Sequence, residues 1–194
     1  ISPSGAADNI SLRIGNLLLD NDINDPGIEI TLFGGSYYFN KDAIIVLSGS
    51  DFSPTIDGKI ISFYKPVSVK TGQTLSISQT TDGARCYLCI KGGFQVPPTL
   101  NSRSTHILSK IGGLDGRSLK KKDEILFSNS NNQNFNKNKN FHIDNDRSVL
   151  RVTEGLQYDL FDFSNKNLFF NNKFAVSHNS NRMGLRITGP NIYC

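Results

Sequence analysis

Tryptophan is absent from this 194-residue chain, methionine occurs once, and there are only three cysteines and three histidines. Structural metal sites need Cys or His clustered at short spacing, and little here offers it. Cys86 and Cys89 have C-x-x-C spacing. In the run 84–90, however, Ala84, Cys86, Leu88 and Ile90 alternate with Arg85, Tyr87 and Cys89. The two sulfurs are therefore expected on opposite faces of a strand, with Cys86 in a core and no metal between them. His106, His142 and His178 are isolated and read as structural or exposed rather than as ligands.

Other absences narrow the function further. No apolar run approaches the length of about 18 residues that reads as a membrane span. No basic stretch leads into an apolar segment with a small-residue cleavage site, so a cytoplasmic setting with reduced thiols is expected. Neither G-x-x-x-x-G-K-[ST] nor G-x-G-x-x-G is present, so the sequence gives no nucleotide-phosphate loop. The net charge is +4, but the lysines gather in Lys120-Lys-Lys122 and Lys137-Asn-Lys139. These read as a solvated turn and loop, not as the basic face with stacking aromatics that nucleic acid requires.

What is present reads as a globular, mainly β chain: 37% of residues are hydrophobic and 20% charged. An opening helix is expected, with Ser4 as N-cap, Asp8 in the first turn, and Ala6, Ile10, Ile14, Leu17 and Leu18 as its apolar stripe. Strands are expected at 28–33, 43–47, 59–63, 74–78, 84–90 and 124–127, separated by turns such as Gly34-Gly35 and Gly92-Gly93. Asp57-Gly58 predicts a two-residue hairpin. Many short strands without intervening helices indicate a barrel or sandwich over 1–127. The Asn-rich run from Ser128 to Asn140 opens a linker or insertion over 128–147. A second β-rich unit over 148–194 is expected to hold strands near 149–152, 174–177 and 185–188 and a helix over 158–170. It holds too little to close a barrel, so an incomplete chain is expected.

Candidate chemistry lies in polar segments between apolar ones. Ser102, Arg103 and Ser104 offer an arginine fork with flanking hydroxyls for a carboxylate or phosphate; the same residues also make a turn bonded to its own backbone. Ser4 and Asp8 are either a helix cap or part of an anion and proton-transfer site. Ser48, Ser50 and Asp51 form a polar strand end that approaches the same place. Arg117 either binds an anion or pins its loop. Met183 is followed by glycine, so the Met-Lys-Met context of a biotinylated lysine is missing.

Six segments carry a resemblance: Ser2-Pro-Ser-Gly-Ala-Ala-Asp8, Ser48-Gly-Ser-Asp-Phe52, the strand into Gly92-Gly93, Asn101-Ser-Arg-Ser-Thr105, Gly112-Gly-Leu-Asp-Gly-Arg117 and Asn181-Arg-Met-Gly-Leu-Arg-Ile-Thr-Gly-Pro190. In this order they resemble the biotin-dependent carboxyltransferase family, whose members are also called allophanate hydrolase subunit 2, KipA-like proteins or the C subunit of 5-oxoprolinase. Where relatives place aspartate before the first arginine of the last segment, this chain has Asn181. The resemblance implies a cyclophilin-like β-barrel and an active unit shared with a KipI-like or allophanate hydrolase subunit 1-like partner, with room for a third 5-oxoprolinase subunit. It implies a small amide or urea substrate, ATP used at the level of the complex, and no covalent biotin on this chain. The leading function is ATP-dependent opening of 5-oxoproline to glutamate. The alternatives are carboxyl transfer in a urea carboxylase-type system and non-catalytic binding of a KipI-type kinase inhibitor. Asp8, Arg103 and Ser104 are the implied catalytic residues, and Ser4, Ser102, Arg117 and Arg182 the implied substrate contacts.

Overall fold

The computed structural model describes residues 5–128, 139–142, 149–180 and 184–193. The chain divides into two compact units, Ile1–Ile143 and Asp144–Cys194.

The first unit is mainly β. Its strands are β1 (Ile28–Thr31), β2 (Ser36–Tyr38), β3 (Ala43–Asp51), β4 (Thr55–Ile56), β5 (Lys59–Ile60), β6 (Val67–Val69), β7 (Thr74–Ser76) and β8 (Asp82–Ile90). They form two antiparallel four-stranded sheets, ordered β1-β8-β3-β6 and β2-β7-β4-β5. The Asp57-Gly58 hairpin is present, with φ of 48° and 79° at the two turn residues as a type I′ turn requires. Of the expected strands, 124–127 is reduced to a single bridge between Phe94 and Phe127. Phe127 faces the core there, but the flanking residues do not continue a ladder.

The period-2 alternation of β3 and β8 divides the interior. Ile45, Leu47, Cys86, Leu88 and Ile90 face the main core with Phe39, Phe52 and Leu75, so both sheets contribute to it. Ile44, Val46, Tyr87 and Cys89 face the other way, toward Leu18 and Leu19. Each buried aliphatic side chain contributes about 1.5–3 kcal/mol. Cys86 and Cys89 thus lie on opposite faces, with Cys86 in the core, as the alternation predicts; Cys89 is buried as well.

That second face is covered by α1 (Asn9–Leu18), and here the structure corrects the expected stripe. Ile10 and Leu17 are 70% and 56% exposed, while Ser11, Gly15, Asn16 and Leu18 are buried. The helix rests on a narrow face of small side chains: a Cβ on Gly15 would meet Cys89 Sγ at 2.7 Å and Ser48 Oγ at 2.8 Å. Large residues at those positions would hold the helix away from the sheet. The cap is Asp8 itself, which accepts from Ser11 N at 3.0 Å. Ser4 lies outside the described residues. At the other end, the buried Lys91 donates to the Leu19 carbonyl at 3.0 Å and lies 3.9 Å from Asp20. A cation there complements the negative end of the helix dipole.

Within 128–147, Lys139 pairs with Asp20, and the Phe141 N–H donates to the Tyr64 carbonyl at 3.2 Å. Residues 129–138 and 143–148 lie outside the described residues.

The second unit holds a 3-10 turn (Tyr158–Leu160), α2 (Phe163–Asn171), and an antiparallel pair of β9 (Ala175–Val176) and β10 (Ile187–Thr188). The helix expected over 158–170 is split because Asp162 caps α2, accepting from Asn165 N at 2.7 Å. The segment 149–152 has no strand. Phe169 packs against Phe170 and Phe174, yet no described residue of this unit is buried.

Candidate functional site

The outer face of the first sheet changes character along β8. Lys91 and Cys89 lie beneath α1; Tyr87 reaches its N-cap, and Arg85 follows one step beyond. Cross-strand pairing sets Glu29 and Ser48 beside Tyr87, and Thr31 beside Arg85. Tyr87 is 1% exposed, and its hydroxyl must be bonded to be buried at that depth. It accepts from the Asp8 N–H at 2.7 Å and donates to Glu29 Oε2 at 3.0 Å. Burial raises the Tyr87 pKa well above the usual phenol value, and the nearby Glu29 charge adds to it. Glu29 Oε2 also accepts from the Ala7 N–H at 2.9 Å, and Arg85 Nε lies 3.6 Å from Glu29 Oε1. Two residues of the first polar segment, Ala7 and Asp8, are therefore held by their backbone from the sheet.

The second arm of the cluster runs through Ser11 and Tyr64. Asp8 Oδ2 accepts from Ser11 Oγ at 2.5 Å, Ser11 Oγ lies 3.5 Å from the Tyr64 hydroxyl, and that hydroxyl accepts from Gly49 N at 2.7 Å. Gly49 has φ of +101°, and a Cβ there would sit 2.6 Å from the Arg85 carbonyl oxygen, so glycine is required. The β3–β8 register shifts between Gly49 and Asp51, and Ser50 Oγ accepts from Ala84 N at 3.2 Å. Ser48 Oγ is buried without a hydrogen-bond partner among the described residues. The first two motif segments thus meet at the start of α1, joined by residues the sequence reading passed over: Ser11, Glu29, Tyr64, Arg85 and Tyr87. A signal for three of them was available. Glu29, Arg85 and Tyr87 share strand parity with Cys89, so charge stands on the face that also carries the buried Ile44 and Val46.

The Ser102–Ser104 loop belongs to a different place. Ser102 Oγ and Ser104 Oγ are 2.6 Å apart, Ser104 N donates to Ser102 Oγ at 3.2 Å, and Arg103 Nη1 pairs with Asp25 Oδ1 at 3.3 Å. The Asp25 carbonyl accepts from the Asn16 side chain at 2.8 Å, near the C-terminal end of α1. Eight residues of helix separate Asn16 from Asp8, about 12 Å of rise. Asp8 and Arg103 are parts of two clusters at opposite ends of α1 rather than facing walls of one small pocket. Arg117 spends its fork on Asp123, at 2.7 and 3.0 Å, and lies 3.4 Å from Asp115. Hydrogen bonding from Arg117 leads the effects that hold the Asp123 carboxyl down at about 2. Asn181 and Arg182 lie outside the described residues; Arg186 donates to the Asn179 carbonyl at 2.9 Å.

Among the described residues no group of three or more His, Cys, Asp or Glu is arranged to hold a metal ion, and no helix is long and apolar enough to cross a membrane. Burial pushes both the Cys86 and Cys89 thiols up to about 12.

The family described as carboxyltransferase domain, subdomain A and B, matches residues 1–193. The chain belongs to this family. Urea amidolyase of Saccharomyces cerevisiae is 37% identical over 202 residues, covering 98% of this chain and 11% of that protein. The C subunit of the Haemophilus influenzae 5-oxoprolinase is 32% identical over 193 residues, covering 99% of this chain and 62% of that protein. This carboxyltransferase domain thus spans about a tenth of one curated relative and about three-fifths of the other. The crystal structure of the K. lactis urea amidolyase superposes with a TM-score of 0.81 at 33% identity, covering 98% of this chain and 12% of that one. The mainly β architecture with one N-terminal helix in the first unit is therefore that of carboxyltransferase domains of urea-processing enzymes.

Proposed function

We propose that this chain is a component of an ATP-dependent 5-oxoprolinase-type amide hydrolase that works with a KipI-like or allophanate hydrolase subunit 1-like partner. The observation that carries the reading is the convergence of the first two motif segments on one polar cluster at the start of α1. There the Asp8 carboxylate accepts from Ser11 and its backbone N–H donates to Tyr87, in a cluster that also holds the Glu29–Arg85 pair. Opening a lactam develops negative charge on the carbonyl oxygen, and fixed donors stabilise that charge. Asp8 orients or deprotonates the attacking group. ATP is used by the assembled complex, and this chain carries no covalent biotin. The match over 99% of the chain to a protein named for 5-oxoprolinase supports this choice.

A second reading is the carboxyltransferase part of a urea carboxylase, favoured by the 37% identity to urea amidolyase. Both act on a small amide or urea. The test is ATP-dependent conversion of 5-oxoproline to glutamate by the full-length protein with its partner subunits. Activity lost on omitting this chain and restored on adding it back supports the hydrolase. Urea-dependent transfer of the carboxyl group from carboxybiotin, without 5-oxoproline turnover, establishes the second reading instead.

A further inference from the structure

Tyr64 stands at φ of +55°, the only aromatic side chain among the described residues to occupy the left-handed region. A bulky residue keeps that conformation only where its surroundings fix it, and such outliers gather at functional sites. Every polar handle of Tyr64 is in use. Its N–H donates to the Leu47 carbonyl at 2.7 Å, its carbonyl accepts from Phe141 N at 3.2 Å, and its hydroxyl accepts from Gly49 N at 2.7 Å. Phenylalanine would serve packing alone; the hydroxyl is what brings the end of β3 at Gly49 together with α1 at Ser11.

Counting protons gives this joint a direction. The Asp8 carboxylate only accepts, so Ser11 Oγ donates its single proton to Asp8 Oδ2 and turns a lone pair toward the Tyr64 hydroxyl, 3.5 Å away. The Tyr64 proton is shared between that oxygen and the Gly49 carbonyl at 3.3 Å. Ser11 N also donates to Asp8 Oδ1, so one residue orients both carboxylate oxygens. Ser11 is buried, and its rotamer is therefore set by these neighbours rather than by solvent.

Tyr64 is itself held from outside. The Phe141 ring packs beside the Tyr64 ring, centroids 6.3 Å apart at 50°, and two residues earlier Lys139 pairs with Asp20 just past α1. We propose that Tyr64 is a positioning residue: set by residues 139–142, it holds the Ser11 hydroxyl and so aims the Asp8 carboxylate. This rests on the role given to Asp8 above and deepens it.

The test pairs a readout that needs no turnover with one that does. Amide hydrogen exchange at Ser11, followed by NMR in the full-length protein, should quicken about three- to ten-fold in Tyr64→Phe, the scale of one neutral hydrogen bond. That increase should exceed any at Leu75, which lies in the other sheet and reports global stability. In the complex assembled with its partner subunits, the same substitution should lower kcat about ten-fold or more and leave KM within about two-fold, because a misaimed carboxylate slows chemistry without weakening substrate binding. Phe141→Ala, at an exposed ring outside both cores, should move both readouts in the same direction, and Phe141→Tyr, which keeps the ring, should restore them. Ser11 exchange that merely follows Leu75 in Tyr64→Phe, an unchanged kcat in an active complex, or Phe141→Ala and Phe141→Tyr behaving alike overturns the proposal. Selective loosening of Ser11 in both Tyr64→Phe and Phe141→Ala, in a complex that converts no 5-oxoproline, keeps the positioning of Asp8 and removes the hydrolase reading.

Discussion

Gly15 on α1 and Cys89 on β8 are in such close apposition that a Cβ on the glycine would lie 2.7 Å from the cysteine sulfur. Gly15→Ala therefore sets two effects against each other. Alanine favours the helix by about 1 kcal/mol, whereas overpacking a filled contact costs about 1–3 kcal/mol. Because the clash includes both Cys89 Sγ and Ser48 Oγ, a net loss of about 1–2 kcal/mol is expected in urea unfolding. Adding Cys89→Ala should recover part of it. A stabilised Gly15→Ala protein would show that the helix can lift away freely.

Asp8 serves as both a cap and a charge, and one substitution separates the two. Asparagine caps about as well as aspartate, so Asp8→Asn should leave the unfolding midpoint nearly unchanged. Turnover by the assembled complex should fall by about 100-fold or more if the carboxylate transfers a proton. Arg103→Ala, at the other end of α1, should reduce turnover far less. The reverse order of effects would move the chemistry to the Ser102–Ser104 loop.

The Arg117–Asp123 pair gives a pH prediction. The Asp123 carboxyl is held at about 2, below the ordinary 3.8, led by hydrogen bonding from Arg117. A depressed folded-state value means that the contribution is complete above about pH 4 and is lost as pH falls toward 2. Carbon-detected NMR titration of Asp123 should show its midpoint rising toward 3.8 in Arg117→Ala. An unmoved midpoint would mean that the Lys120 backbone contact dominates.

Cys86 and Cys89 are buried, and burial raises both thiols to about 12. Since the thiolate is the reactive form, neither should be alkylated by iodoacetamide at pH 8 in the folded protein, and both should react in denaturant. Peptide mapping by mass spectrometry separates these two states.

The second unit makes a contrasting case. No described residue in it is buried, and Leu156 and Phe163 are 99% and 83% exposed. With no buried side chain among its described residues, it has little to set against chain entropy. Residues 144–194 expressed alone should show no cooperative urea transition by circular dichroism. A sharp transition would reveal a core within the chain that these residues do not display.

Where the chain could be read directly, strong local chemistry was responsible. Asp57-Gly58 dictates its turn by backbone sterics, and the alternation around Cys86 and Cys89 assigns their faces without any tertiary information. The three-residue strands β2 and β6 were not legible, because they stand beside Gly35 and Pro66 with no alternation extending past them, whereas in the equally short β7 the alternation continues to Ser78. The stripe of α1 misled because the helix packs through Ser11 and Gly15, and small residues carry no hydrophobic signal. Asp8 was legible as a cap-like residue. Tyr64, 53 positions from Ser11, becomes its neighbour only after the sheet has formed.

Because β8 is buried on both sides, it tolerates only one alignment with β1 and β3. A slip by one residue would exchange its two rows, sending Arg85 and Tyr87 toward Ile30 and Leu47 while turning Leu88 toward Asp8. An unpaired guanidinium among aliphatic side chains is strongly disfavoured. The polar cluster therefore acts as an assembly check on the sheet: a chain that misaligns its central strand loses core and site together, and few molecules will be well folded yet wrongly assembled.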